Sequence, residues 1–195
     1  TDTLTLSDPS QLGESGQALE TATPLEILQW AADQFESRLT FATGFGAEGC
    51  VLVDLIGRYR LQIDIFTLDT GLLLPETYDL WRRLEERYAL TIRGVHPEHT
   101  VDEQAATHGA ELWTRHADRC CELRKVSPLV AELSGFDAWI TAIRRDQTAG
   151  RADALAVEWD AKFGLGKVNP LVRWTKQEVW SHLLQNDVPY NPLHD

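Results

Sequence analysis

The sequence predicts an α/β domain built on a mostly parallel sheet of five or six strands, with helices on both faces. Two observations carry this. Short apolar segments alternate with amphipathic helical patterns from residue 24 to residue 185, and that βαβα order builds a parallel sheet between two helical layers. The residues best suited to chemistry stand where the apolar segments end. Sheets of this kind bind ligands beyond the carboxyl ends of their strands, near the point where strand order reverses.

Residues 1–22 are rich in Ser, Thr, Gly, Asp and Gln and poor in large apolar groups, the composition of a flexible arm. The folded domain is expected over residues 23–195. Thr23-Pro24-Leu25-Glu26 opens the first helix. Thr23 caps, Pro24 takes the first helical position and Glu26 completes a capping box; the helix runs to Ser37. Leu39–Thr43 reads as a buried strand, followed by the loop Gly44–Gly49 and a helix over Cys50–Tyr59. Ile63–Leu68 is a strand ending in Asp69-Thr70-Gly71, Pro75–Tyr88 an amphipathic helix and Thr91–Val95 a third strand. Val101–His108 and Asp118–Leu133 are helical, with a kink or break expected at Pro128. Asp137–Ala142 is a fourth strand, residues 144–166 a long polar loop and Lys167–Val172 a fifth strand. Thr175–Gln185 closes the pattern as a helix with a Thr175–Glu178 capping box.

Composition narrows the function classes. At 195 residues and 43% hydrophobic, with a mean hydropathy of −0.27, the sequence suits a soluble domain with a sizeable core. No apolar run approaches the roughly 20 residues of a membrane span, and no basic-then-apolar signal peptide opens the chain. Three cysteines, two of them adjacent, do not make a secreted disulfide framework, so a cytoplasmic location is expected. A net charge of −12 argues against non-specific nucleic-acid binding. An anionic ligand needs a local basic patch against this background.

Three strand-end segments are candidates for such a ligand. In Thr43-Gly44-Phe45-Gly46-Ala47, glycines let backbone N–H groups approach an anion, and the helix that follows adds partial positive charge. The same pattern also serves as a plain tight turn, and Glu48 suits a capping or orienting part better than contact with phosphate. Leu68-Asp69-Thr70-Gly71 offers side-chain hydrogen-bonding groups to a nucleotide, although Asp and Thr often satisfy their own backbone. Arg144, Arg145, Gln147 and Arg151 stand in the long loop, where guanidinium groups suit phosphate or sulfate.

Cys120 and Cys121 are the most distinctive pair. A bridge between adjacent residues closes a strained ring. Flanking Arg119, Arg124 and Lys125 favour thiolate, the form that ligates iron. Only Cys50 remains besides them. Either the pair is half of a split ligand set, or it is structural.

Taken in order, Gly44-Phe45-Gly46-Ala47-Glu48, Phe66 to Gly71, Cys120-Cys121-x-x-Arg124-Lys125-x-x-Pro128-Leu129, Arg144-Arg145-Asp146-Gln147, Lys167-Val168-Asn169-Pro170-Leu171 and Asp187 to His194 resemble the assimilatory adenylylsulfate and phosphoadenylylsulfate reductases. The resemblance covers residues 24–195. It implies an adenine-nucleotide α-hydrolase-like, PP-loop-related, Rossmann-like three-layer fold. It implies reduction of adenylylsulfate to sulfite and AMP in sulfate assimilation and cysteine biosynthesis, through an S-sulfocysteine that thioredoxin or glutaredoxin resolves. Cys120 and Cys121 would supply two of four ligands to a [4Fe-4S] cluster and point to the adenylylsulfate branch. Lys125 would act electrostatically between cluster and substrate.

The family pattern runs on into a Cys-x-x-Cys and a Glu-Cys-Gly-x-His nucleophile that these residues lack. The 195-residue form is therefore expected to be inactive and cluster-poor. Competing readings are a reductase specific for the 3′-phosphorylated substrate and a non-catalytic adenine-nucleotide-binding module. The expected partners are adenylylsulfate or AMP and a thioredoxin-type reductant, with no nucleic acid and no membrane; homo-oligomerisation is open.

Overall fold

A computed structural model describes residues 9–194. Six strands form one sheet: β1 (Leu39–Ala42), β2 (Asp64–Leu68), β3 (Arg93–Val95), β4 (Ala138–Ile140), β5 (Val157–Asp160) and β6 (Leu165–Val168), in the order β3-β2-β1-β4-β6-β5. All neighbours are parallel except the β5–β6 pair. The chain moves outward from β1 through β2 to β3, then returns to the other side of β1 with β4. Strand order reverses there, so the crevice between the carboxyl ends of β1 and β4 is the topological switch point.

Alternation along the strands sends side chains to two separate cores. On one face Phe41, Ile65 and Ile140 meet α2 (Pro24–Phe35), α3 (Ala47–Arg58), α4 (Pro75–Tyr88) and α9 (Lys176–Gln185). On the other, Phe66 and Trp139 pack with Leu129 and Leu133 of α8 (Ser127–Leu133) and with Leu165. The capping boxes at Thr23 and Thr175 form as expected.

Three expectations are corrected. The flexible arm gives way to a helix, α1 (Pro9–Leu19), whose Leu12 is fully buried in the main core; residues 1–8 of that arm lie outside the described residues. Gly16 lets α1 approach β5 so closely that a Cβ there would stand 2.5 Å from the Val157 carbonyl oxygen. Small and polar residues read as arm, yet they permit this contact.

The long loop over 144–166 contains a strand, β5. It pairs back on β6 through a turn in which Asp160 Oδ1 accepts the Lys162 and Phe163 N–H groups and Gly164 takes φ +70°. The fifth expected strand is accordingly shifted to Leu165–Val168, and residues 169–174 turn. Last, of the kink or break expected at Pro128 the break does not occur, and the irregularity lies in the turn before the proline. After α5 (Val101–His108) and the short α6 (Leu112–Arg115), α7 (Ala117–Cys121) runs through a π segment (Glu122–Val126) into α8. The Ser127 N–H returns to the Glu122 carbonyl, five residues back. This wider turn takes up the mismatch left by a proline that has no N–H.

Candidate nucleotide site at the strand ends

The first loop leaves β1 at Ala42 and enters α3 at Ala47. Thr43 Oγ1 accepts the Phe45 N–H at 3.1 Å, and the buried Phe45 takes φ +60°. A bulky residue in the left-handed region is an outlier of the kind that collects at ligand sites. Gly49 allows the close fit, since a Cβ there would lie 2.7 Å from Thr43 Oγ1. Gly44 faces open space. Gly46 caps α3 without a side chain, which leaves first-turn N–H groups available to an anion.

The arginine loop meets this turn through Glu48. Its Oε1 accepts from Arg144 Nε at 2.9 Å and from Gln147 Nε2 at 3.3 Å. Gln147 Oε1 accepts the Arg144 backbone N–H at 3.1 Å and also takes Arg151 Nη1. Arg144 is buried and is further paired with Asp146. Glu48, set aside as a phosphate ligand, thus orients the arginine loop. Arg145 turns the other way: Nε donates to the Ala154 carbonyl and Nη2 to Glu20 Oε2, both at 2.7 Å.

The second turn follows β2. Asp69 Oδ1 accepts the Gly71 N–H at 3.1 Å and the Tyr78 hydroxyl at 2.6 Å. The bond to Asp69, with some burial, pushes the Tyr78 hydroxyl up to about 12. Thr70 Oγ1 accepts the Leu72 N–H, and Gly71 takes φ +73°. Thr43 also donates its backbone N–H to the Phe66 carbonyl, which fixes the first two turns beside each other.

The π segment carries Arg124 inward, where it is 3% exposed. Arg124 Nε donates to the Thr70 carbonyl at 2.5 Å, and Nη1 to the His99 carbonyl and Gln104 Oε1. No carboxylate pairs with it among the described residues. A cavity of about 490 Å³ beside β3 reaches Arg124, Gln104, His99 and Pro128. Cys120 is buried and Cys121 exposed; both are free thiols. Lys125 is exposed.

The structure therefore unites Thr43–Ala47 with Arg144, Gln147 and Arg151, and places Leu68–Gly71 alongside. It does not bring Arg145 into the crevice. The structure adds Arg124, Gln104 and Tyr78, none of which the sequence marks as a site residue. A buried glutamine inside a capped helix has no pattern that marks it, and Arg124 was visible only as a neighbour of the cysteines.

Comparisons with known proteins show the family and the fold. The family model described as phosphoadenosine phosphosulfate reductase domain matches residues 38–195. The adenosine 5′-phosphosulfate reductase of Salinibacter ruber is 46% identical over 172 residues, 88% of this chain and 68% of that protein. The crystal structure of phosphoadenylyl-sulfate reductase from Candida auris, a phosphate complex, superposes with TM-score 0.85 at 30% identity, covering 95% of this chain and 90% of that one. Candida glabrata FMN adenylyltransferase with ATP shares the fold at TM-score 0.58 and 15% identity, over 99% and 61% of the two chains.

Proposed function

Because the chain belongs to the phosphoadenosine phosphosulfate reductase domain family, we propose that it binds adenylylsulfate at the carboxyl ends of β1, β2 and β4 and presents its sulfate for reduction to sulfite and AMP. The observation that carries this is the Glu48 bridge, which joins the glycine loop to Arg144 and Gln147 at the switch point.

The backbone N–H groups of Gly44, Gly46 and Ala47, with the Thr43 hydroxyl, would receive the α-phosphate, while Phe45, its N–H held by Thr43 Oγ1, would shape the turn around it. Leu68, Asp69, Thr70 and Gly71 would meet the adenosine. Arg144, Gln147 and Arg151 would face the anion, and Arg145 would act by tying their loop to Glu20. In the reaction a cysteine thiolate attacks the sulfate sulfur, the S–O bond to phosphate breaks, and AMP leaves with the bonding electrons. A dithiol reductant, thioredoxin or glutaredoxin, then supplies two electrons and frees sulfite. The reading places this in the reducing cytoplasm.

Among the thiols, Cys50 does not suit the nucleophile. Cys50 is buried in α3, and burial, with Glu48 nearby, pushes it up to about 12. Cys120 and Cys121 would offer two thiolates to a [4Fe-4S] cluster, with exposed Lys125 beside them. The described residues hold no third ligand grouped with that pair, so they fit half of the set.

Calorimetry on this chain tests the reading. AMP should bind more tightly than 3′,5′-bisphosphoadenosine, since the relatives at 40–46% identity are named for the substrate without the 3′-phosphate. Tighter binding of the bisphosphate would move the chain to the phosphoadenylylsulfate branch.

A further inference from the structure

Gln104 lies in α5 (Val101–His108), a helix begun by a Thr100–Glu103 capping box. Its side chain is 4% exposed and both ends of its amide are engaged. Oε1 accepts from Arg124 Nη1 at 3.2 Å, and Nε2 approaches Cys120 Sγ at 3.8 Å. The orientation is not free. A guanidinium only donates, so the amide oxygen must face Arg124, and the NH₂ must then face the sulfur. Arg124 in turn holds the carbonyls of Thr70 and His99. A continuous run of hydrogen bonds thus leads from Cys120 through Gln104 and Arg124 to the turn at residues 69–71.

A buried glutamine spanning a sulfur and an arginine is more than helix filler. Buried polar groups must be matched, and a fully matched network holds one arrangement of its members. Gly71 at φ +73° lies against the same guanidinium: a Cβ there would stand 3.5 Å from Arg124 Nη2. Any shift of Arg124 is therefore felt at the turn, and any shift of the turn at Arg124.

We propose that Gln104 is a positioning residue which, through Arg124, couples Cys120 to the nucleotide-binding turn at residues 69–71. This rests on the nucleotide reading above. Through Gln104, occupancy of the turn by AMP sets the placement of the Cys120 sulfur, and the state of Cys120 sets the turn.

Two variants separate the ends of the amide. Gln104→Glu keeps an oxygen for Arg124 but loses the donor to sulfur. Gln104→Leu loses both. The readouts are AMP affinity by calorimetry and the β-carbon resonance of Cys120 in cysteine-labelled protein, with Cys121 as internal comparator and Cys50, whose Sγ lies 3.9 Å from the Phe45 carbonyl, as a reporter of AMP at the glycine loop. In the parent chain AMP should shift the Cys120 resonance. Gln104→Leu should weaken AMP about three- to tenfold, the effect of one lost hydrogen bond, while Gln104→Glu should stay within about twofold. At saturating AMP neither variant should transmit the shift to Cys120.

An undiminished Cys120 response in either variant, or unchanged AMP affinity in Gln104→Leu, would overturn the proposal. If Gln104→Leu does not fold, Gln104→Glu decides by the Cys120 response alone. A parent chain that binds AMP without moving Cys120 overturns the coupling only; one that does not bind AMP overturns the nucleotide reading and the coupling with it.

Discussion

At the scale of single residues, Arg144 and Arg145 are neighbours with opposite uses. Arg144 is buried against Glu48 and Asp146, while Arg145 reaches Glu20 and the Ala154 carbonyl. Arg144→Ala should weaken AMP binding about tenfold, because charge-assisted hydrogen bonds are among the stronger ones. Arg145→Ala should change AMP affinity less and lower the melting temperature instead. Parallel calorimetry and melting curves check both, and a larger affinity loss for Arg145→Ala would reverse the assignment. The two side chains could not be told apart in the sequence, where they stand together as one basic dipeptide. Which one faces inward depends on the backbone path after β4 and on a partner, Glu20, more than 120 positions away. By contrast Phe45, Gly71 and Asp69 were legible, since strand-end turns advertise themselves by glycine and Asp.

At the scale of elements, α9 is pinned to α3 and α4 by a buried carboxylate. Asp54 is fully buried and takes hydrogen bonds from Arg58 at 2.8 Å and Tyr88 at 2.6 Å, with His182 Nε2 at 2.7 Å. Burial pushes the Asp54 carboxyl up, but the bonds from His182, Arg58 and Tyr88 outweigh it and hold it below its ordinary value. A folded-state pKa below the unfolded one gives stability that is full above about pH 3.9 and is lost as pH falls through the folded value. Asp54→Asn should cost about 2 kcal/mol at neutral pH and flatten the acid limb of the stability curve. Urea unfolding at pH 7 and at lower pH measures this; equal losses at both would contradict it. Helices α2, α3, α4 and α9 were legible from caps and periodicity. The hairpin of β5 and β6 was not, because Val157-Glu158-Trp159-Asp160 pairs along the sheet edge, where acidic residues are tolerated and blur the strand pattern.

At the scale of the whole molecule, a switch-point crevice is built from turns on one side and an arginine loop on the other, and the N-terminal helix braces the latter. Glu20 follows α1 and accepts both the Arg145 guanidinium and the Ala156 N–H, while Leu12 fills the core beside β5. Leu12→Ala should destabilise by about 2–3 kcal/mol, lowering the melting temperature by about 5–10 °C. An unchanged melt would mean that α1 does not dock in solution. The parallel layered fold was legible from the alternation of elements, and the family from motifs taken jointly. Docking of α1 was not, because it depends on a single buried leucine and a close glycine contact.

The central claim is where the nucleotide sits. Titrating isotope-labelled chain with AMP and mapping the backbone amide shifts tests it most directly. The largest shifts should fall on residues 43–47, 68–71 and 144–147 together. Shifts centred on the opposite, amino ends of the strands, around residues 60–64 and 88–91, or none at millimolar AMP, would contradict it.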